Sequence, residues 1–258
     1  MQKSCAEEIC LLYPVQVVRP DNFFKNMRIV SWNCNGALRN KLQRIQLLNA
    51  DLYIIQECED PLQSASEAYR AWAENHLWVG TNKNRGLGVF ARPGIHIEAA
   101  PMDSSSLELF LPCKINGSLS LLAVWTRDAN SPTFQYIGQL WKYLQKHEQF
   151  LVTEHAVLIG DLNSNACWDV WDRWWNHSDV VRQLQEVGLT SLYHHLHREQ
   201  HGKETTPTFY MYRQRDKPYH IDYAFLSAKL LEDAVCEVGD PTAWLELSDH
   251  MPLTVNIP

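Results

Sequence analysis

The sequence predicts an α/β fold in a single domain, with sheets packed on one another and helices outside them. Three observations carry this. Short apolar, β-branched runs recur along the chain, bounded by polar loops and too short to be helices. Few amphipathic segments separate them, so several strands follow one another directly. No Ser/Gly-rich linker, charge run or shift in composition marks a second domain.

Residues 1–26 read as an N-terminal extension, and the domain spans 27–258. Its first strand is MRIVSW (27–32), followed by a segment with Leu38, Leu42, Ile45 and Leu48 at helical spacing. LYIIQ (52–56) is a second strand. Further strands are expected at 86–92, 107–115, 119–126, 156–160, 219–227 and 252–257. Ser131-Pro132 predicts a helix start running to about Phe150, since serine caps and proline suits the first turn. A second helix is expected from Ser178, with Val180, Val181, Leu184 and Val187 on one face.

Of the 258 residues, 45% are hydrophobic and 21% charged, which places the chain among globular proteins rather than disordered or fibrous ones. A net charge of −7 argues against coating nucleic acid through bulk positive charge. It leaves room for an enzyme that gathers phosphate with a local basic patch and a bound cation. The seven cysteines are odd in number and scattered, without CxxC or Cys/His zinc spacing. Neither a disulfide framework nor structural zinc is expected, and reduced thiols fit a cytoplasmic location. The apolar N-terminal stretch is broken by Glu7 and Glu8, and no run reaches membrane-spanning length. A monomer without a membrane partner is the expectation.

Polar residues cluster where the strands end. The first strand runs into Asn33 and Asn35, the second into Glu57, and the strand at 156–160 into Asp161 and Asn163. His220-Ile221-Asp222 lies in the late strand, and Asp249-His250 precedes the last one. A rigid strand end can aim such side chains into a cleft. The types suit phosphoryl transfer: carboxylates offer hard oxygen ligands to magnesium, one can act as base toward water, and imidazolium and amide groups can stabilise charge at phosphorus. Taken singly, each is more often a turn residue, a surface hydrogen bond or a solvated strand end, and it is their occurrence together, in order and at strand ends, that points to a site.

In order, the set resembles the exonuclease III-like endonuclease/exonuclease/phosphatase family, from Met27 to Ile257. Ser-Trp-Asn-Cys-Asn-Gly, Ile-Gln-Glu, Gly-Asp-Leu-Asn-Ser, Ile-Asp-Tyr and Ser-Asp-His-Met-Pro match its five motifs. The resemblance implies a four-layer α/β sandwich, two mixed β-sheets face to face with helices outside, and a metal-dependent phosphodiester hydrolase. It implies Glu57 as metal ligand, with Asn35 and Asp249 as direct or water-mediated ligands, and Mg²⁺ (Mn²⁺ substituting) as the cofactor. It implies that Asp161 activates water or assists the leaving oxygen, that Asn163 contacts phosphate, and that Asn33 orients Asp161 or the ligands. His250 is implied to bind phosphate, held as a charged donor by Asp222. Two departures stand out. Many relatives carry Tyr or His where this chain has Trp125-Thr126-Arg127; Trp125 cannot titrate, and Arg127 is either a phosphate fork or an ordinary surface arginine. Some nuclease relatives have Asp in place of Asn35, so weaker metal binding is expected here.

Nucleic acid, DNA or RNA, is the expected substrate. Segment 208–219 interleaves Tyr210, Tyr212 and Tyr219 with Arg213, Arg215 and Lys217, and 82–85 forms a basic loop. Aromatics beside cations suit stacked bases and phosphates, although a plain surface hairpin has the same composition. Trp168, Trp171, Trp174 and Trp175, with His177, either wall the cleft or cover the sandwich edge. His194, His195, His197 and His201 lack companion ligands at a metal-binding spacing and read as a solvated stretch. Two alternatives use the same residues: a phosphatase or phosphodiesterase for small molecules or lipid headgroups, and a non-catalytic nucleic-acid-binding protein.

Overall fold

The computed structural model describes residues 26–103, 107–128 and 131–258. Residues 1–25 of the expected N-terminal extension lie outside the described residues. Strands β1 (Met27–Asn33), β2 (Leu52–Cys58), β3 (His76–Asn82) and β4 (Arg85–Ala91) open a first sheet. Strands β5 (Ile97–Ala99), β6 (Phe110–Ile115), β7 (Leu119–Trp125), β8 (Ala156–Asp161) and β9 (Leu189–Ser191) build a second. A two-stranded ribbon follows, β10 (Phe209–Tyr210) with β11 (Pro218–Tyr219). β12 (Asp222–Ser227) then returns to the second sheet, and β13 (Val235–Val238) and β14 (Leu253–Ile257) complete the first.

Each large sheet is six-stranded and mixed, in the orders β13-β14-β1-β2-β4-β3 and β5-β6-β7-β8-β12-β9. β1 pairs parallel with β2, and β7 parallel with β8, while the other pairings are antiparallel. Helices α1 (Leu42–Gln46), α2 (Glu67–Trp72), α3 (Ile137–His147), α4 (His177–Glu186), α5 (Leu192–His197), α6 (Ala228–Leu231) and α7 (Pro241–Trp244) accompany them.

Side chains alternate across each strand, and the alternation sorts the interior into three layers of contact. Leu52 and Ile54, Leu121 and Ala123, Val157 and Ile159, and Ala224 and Leu226 meet between the sheets. Their neighbours Leu122, Leu158, Tyr223 and Phe225 face α3 and α4 on one outer side. Val30, Trp32, Tyr53 and Ile55 pack with Leu42, Ile45 and Tyr69 on the other. One apolar layer between the sheets and one outside each make the expected four-layer sandwich.

Two local expectations fail. The helix near 131 begins only at Ile137: Ser131 Oγ accepts from Phe134 N at 3.0 Å and closes a turn, and Tyr136 has a φ of 50°. The strands β3, β5, β9 and β13 were not anticipated; they are half-buried or short, so no continuous apolar run announces them. Among the described residues no helix is long and apolar enough to cross a membrane. The described cysteines are all free thiols, Cys34, Cys58 and Cys113 being buried.

Candidate active site

The polar strand ends meet at one edge of the sandwich. Pairing sets Asn33 beside Gln56, Trp125 beside Asp161, and Asp161 opposite Asp222. Gly160 lets β8 reach this edge. A Cβ built there would sit 1.9 Å from the Val124 carbonyl oxygen, and its φ of 152° disfavours a side chain.

Asp161 is fully buried at the centre. Its Oδ2 accepts from Asn33 Nδ2 at 3.0 Å and from Asn163 Nδ2 at 2.9 Å, and its Oδ1 accepts from Asn163 N at 2.8 Å. Asn163 reaches back because its backbone is left-handed, and its Nδ2 also donates to the Thr126 carbonyl at 2.9 Å. Burial pushes the Asp161 carboxyl up to about 7, against the pull of His250 and the Asn33 and Asn163 donors and with the push of Asp222.

His250 turns Nδ1 to both oxygens of Asp222, at 3.0 and 3.2 Å, and holds Nε2 3.8 Å from Asp161 Oδ2. An ionised carboxylate only accepts, so Nδ1 carries a proton. Burial alone would lower the imidazole's pKa, but Asp222 and Asp161 outweigh it and raise it to about 10. The ring is therefore a buried cation at neutral pH. Its place is set by Ser248 Oγ, which accepts from His250 N at 3.1 Å, by Trp32 Nε1 donating to its carbonyl at 2.9 Å, and by Phe209, whose ring centre lies 4.6 Å away.

Glu57 reaches the site through a bulge. Strict alternation would send it outward with Tyr53 and Ile55, but the register against β4 shifts between Gln56 and Cys58. Cys58 takes the outward position, and Glu57, at a φ of 60°, turns to the edge. Its Oε1 is 3.4 Å from Asn33 Nδ2, and the Arg85 guanidinium lies 3.2 Å from its Oε2. That Oε2 is buried and has no hydrogen bond. Asn35, also left-handed, donates from its backbone to Asn33 Oδ1 at 3.0 Å and from Nδ2 to Asp249 Oδ1 at 3.1 Å. Ser248 Oγ donates to the Asn33 carbonyl at 2.7 Å, tying the loop before β14 to the end of β1 within the first sheet.

The donor set suits a hard divalent cation. Glu57 and Asp249 are carboxylates, and the buried Glu57 Oε2, with an ion pair to Arg85 but no hydrogen bond, is an oxygen such an ion would satisfy. Asp161, Asp222 and His250 also lie close, their ligand atoms within 4.8 Å of one another. They fit an ion less well, because a doubly protonated imidazole has no lone pair to give.

The expected substrate-binding residues divide. Arg127 stands half-buried beyond β7, 5.9 Å from the Trp125 ring, and Arg213 and Arg215 are exposed on the ribbon loop, Arg213 donating to the Glu246 carbonyl at 3.0 Å. Three others do not face a cleft. Trp125 packs into the core between the sheets, its backbone alternation turning the indole inward. Tyr210 is buried against the outer face of the first sheet, the opposite side of the ribbon from its neighbour Phe209. His177 is buried at the start of α4, against Tyr223 behind the second sheet. Sequence reasoning missed Arg85 as a partner of Glu57. It also missed Thr208, whose Oγ1 accepts from Ile221 N at 2.9 Å and Asp222 N at 3.0 Å and so fixes Asp222. Arg85 carried a signal, since it lies in the basic loop at 82–85.

A model of the endonuclease/exonuclease/phosphatase family matches residues 30–250, which runs from β1 to His250 and takes in every element of this site. The chain belongs to that family. The family's members are metal-dependent hydrolases of phosphate esters. A search of curated protein sequences finds no significant match. Among solved structures, an AP endonuclease from Archaeoglobus fulgidus superposes with a TM-score of 0.65 at 21% identity, over 89% of this chain and 98% of that one. The 3' phosphatase NExo from Neisseria, bound to a product DNA hairpin, gives 0.64 at 21% identity, over 90% and 99%. The AP endonuclease LMAP from Leishmania major gives 0.63 at 14% identity, over 90% and 88%. At these identities the superpositions establish the shared fold.

Proposed function

We propose that this protein is a magnesium-dependent phosphodiester hydrolase acting on nucleic acid, DNA in the first place. The observation that carries the reading is the pairing of a buried carboxylate, Asp161, with a buried imidazolium, His250, 3.8 Å apart and beside Glu57, whose buried Oε2 makes no hydrogen bond and ion-pairs with Arg85 at 3.2 Å. The support for nucleic acid is that the similar solved structures include AP endonucleases and a phosphatase bound to DNA. The basic hairpin tip at 82–85 also stands next to Glu57 through Arg85.

Glu57, with Asn35 and Asp249, would hold Mg²⁺ or Mn²⁺, which would act as a Lewis acid and stabilise charge on the phosphate oxygens. The other roles belong to the chain's own groups. Asp161, when ionised, orients the attacking water and accepts its proton; a carboxyl raised to about 7 is a base matched to neutral pH. Nε2–H of His250 is too far from Asp161 to hydrogen-bond it and is free to donate to a phosphate oxygen. Asp222 keeps His250 charged and in one orientation. Asn33 and Asn163 hold Asp161 in place through three hydrogen bonds.

The test is a panel of labelled substrates: duplex DNA with and without an abasic site, single-stranded DNA, RNA and a chromogenic small phosphodiester. Each is assayed with magnesium, with manganese and with chelator. Cleavage of a DNA substrate that depends on the cation is the expected result. Full turnover in excess chelator after dialysis would overturn the metal assignment, and turnover confined to the small diester would overturn the nucleic-acid assignment.

A further inference from the structure

A second group of titratable side chains lies behind the catalytic loop, on the outer face of the second sheet. His177 opens α4, His194 lies in α5, His201 and Glu204 follow in the next loop, and His220 precedes β12. The expectation of a solvated histidine stretch fails for His194 and His201, whose rings stack with centres 3.5 Å apart. His177 and His220 pack beside them on Tyr223, at 5.0 and 4.9 Å. A single carboxylate serves the group. The Glu204 side chain is 3% exposed, and its Oε1 lies 3.1 Å from His194 Nε2.

The partners of each ring decide where its lone pair points. Nδ1 of His220 faces the Thr206 carbonyl at 2.8 Å; a carbonyl only accepts, so Nδ1 is protonated and Nε2 carries the lone pair. That Nε2 is buried without a partner, as is Nδ1 of His177. His194 Nδ1 sits 2.7 Å from Ser191 Oγ, the kind of outer contact that orients a metal-binding imidazole, and its Nε2–H donates to Glu204, a proton that a bound ion would displace. His177 Nε2 lies 3.2 Å from His201 Nδ1, so the two rings share one contact. The Glu204 carboxylate accepts from His194 Nε2 at 3.1 Å, Asn165 Nδ2 at 3.0 Å and Gly202 N at 3.0 Å. Imidazole nitrogens thus surround one carboxylate, with two buried nitrogens, His177 Nδ1 and His220 Nε2, left unpaired.

We propose that His194, His201 and Glu204 bind a zinc ion, with His220 and His177 at its border. Their ligand atoms lie within 4.8 Å of one another. Imidazole nitrogens with one carboxylate select a first-row transition metal, and magnesium, which prefers an all-oxygen shell, is not suited to them. The site is structural. Glu204 Oε2 also accepts from Asn165 Nδ2 at 3.0 Å, and Asn165 donates to the His220 carbonyl at 2.9 Å. The ion would therefore tie α5 and the loop after it to the segment that carries Asp161 and Asn163. Nothing in this inference depends on the substrate assigned above.

The experiment uses the full chain, stripped of metal and titrated with zinc against a chromophoric chelator in excess magnesium. One tight zinc equivalent is expected in the unaltered chain and, unchanged, in Glu57→Gln. In Glu204→Gln and His201→Asn its affinity should fall at least about tenfold. Cobalt loading of the unaltered chain should give the intense visible bands of a four-coordinate nitrogen/oxygen site, which decides the matter even if the variants fail to fold. The proposal is overturned by the absence of a tight equivalent, by its loss in Glu57→Gln, by its persistence in the ligand variants, or by weak octahedral cobalt bands.

Discussion

Asp161 receives three hydrogen bonds that favour its anion, yet its pKa rises because burial at the junction of the two sheets outweighs them. His250 balances the other way, two carboxylates overcoming the same burial. In the proposed mechanism the pair would therefore divide the work between a base and a cation. Replacing Asp161 by Asn or His250 by Ala should lower turnover by about 10²–10⁴-fold with the fold intact, as single-turnover rates and circular dichroism would show. Asp222→Asn acts through His250, so the double variant with His250→Ala should lose far less than the product of the two single losses. A multiplicative loss would break the assignment of Asp222 as the histidine's holder. A separate test lies behind the sheet at His177, neutral in the fold because burial pushes its pKa from 6.5 to about 3. Above 6.5 it is neutral in both states and contributes no pH dependence. As pH falls below 6.5 the unfolded chain takes up a proton that the folded chain refuses, so its share of stability is lost toward 3. Glutamine has no such linkage. In chelator, the stability gap between the unaltered chain and His177→Gln should narrow between pH 7.5 and 5, by up to about 1.4 kcal/mol per pH unit. Urea midpoints that keep a constant gap would show that the imidazole titrates alike in both states.

Strand β8 shows how an element constrains the site. At Gly160 the backbone passes so close to Val124 that a methyl group has no room, and the next residue is Asp161. Gly160→Ala should cost about 1–3 kcal/mol, the range of overpacking, and lower turnover through displacement of Asp161. Unchanged urea midpoint and turnover would mean that β7 and β8 separate easily there. The strands that carry the site were legible because each is a continuous apolar run ending in a polar motif: Ile29 and Val30 before Asn33, Ile54 and Ile55 before Glu57, and Leu158 and Ile159 before Asp161. The bulge that turns Glu57 inward was not, since it depends on pairing with β4 rather than on residues 52–58 alone. Tyr210 was misread for a related reason. Composition places aromatics beside cations, but only the ribbon's pairing decides that Phe209 meets His250 while Tyr210 sinks beneath the first sheet. The imidazole group was invisible because its members come from separate segments, and the spacing of His194 and His201 is bridged only when Glu204 folds back.

At the scale of the whole molecule, a net charge of −7 means that the proposed nucleic-acid substrate would be held by a few local cations. Lys83 and Arg85 are exposed at the β3–β4 turn, and Arg213 and Arg215 on the loop of the ribbon that also supplies Phe209. Arg85 is already committed in part to Glu57. With so few cations, about two to four phosphate contacts are expected, and log affinity should fall with log salt at about 0.7–0.9 per contact. With Tyr210 buried, the residue that would stack on a base is Tyr212, which is 76% exposed at the ribbon tip with the Lys217 ammonium 5.4 Å from its ring. Tyr212→Ala should therefore weaken oligonucleotide binding by about 1–3 kcal/mol while leaving stability unchanged, and Tyr210→Ala should lower stability first. Replacing Arg213 and Arg215 together should weaken binding across sequences without changing which bond is cleaved. Remote contacts of this kind position the scissile phosphate only in a substrate long enough to make them, so turnover on an oligonucleotide should far exceed that on a small diester. Equal rates on both, with no dependence on salt and no effect at Tyr212, Arg213 or Arg215, would leave the same catalytic edge serving a small phosphodiester, with the ribbon acting only as a scaffold for Phe209 and His250.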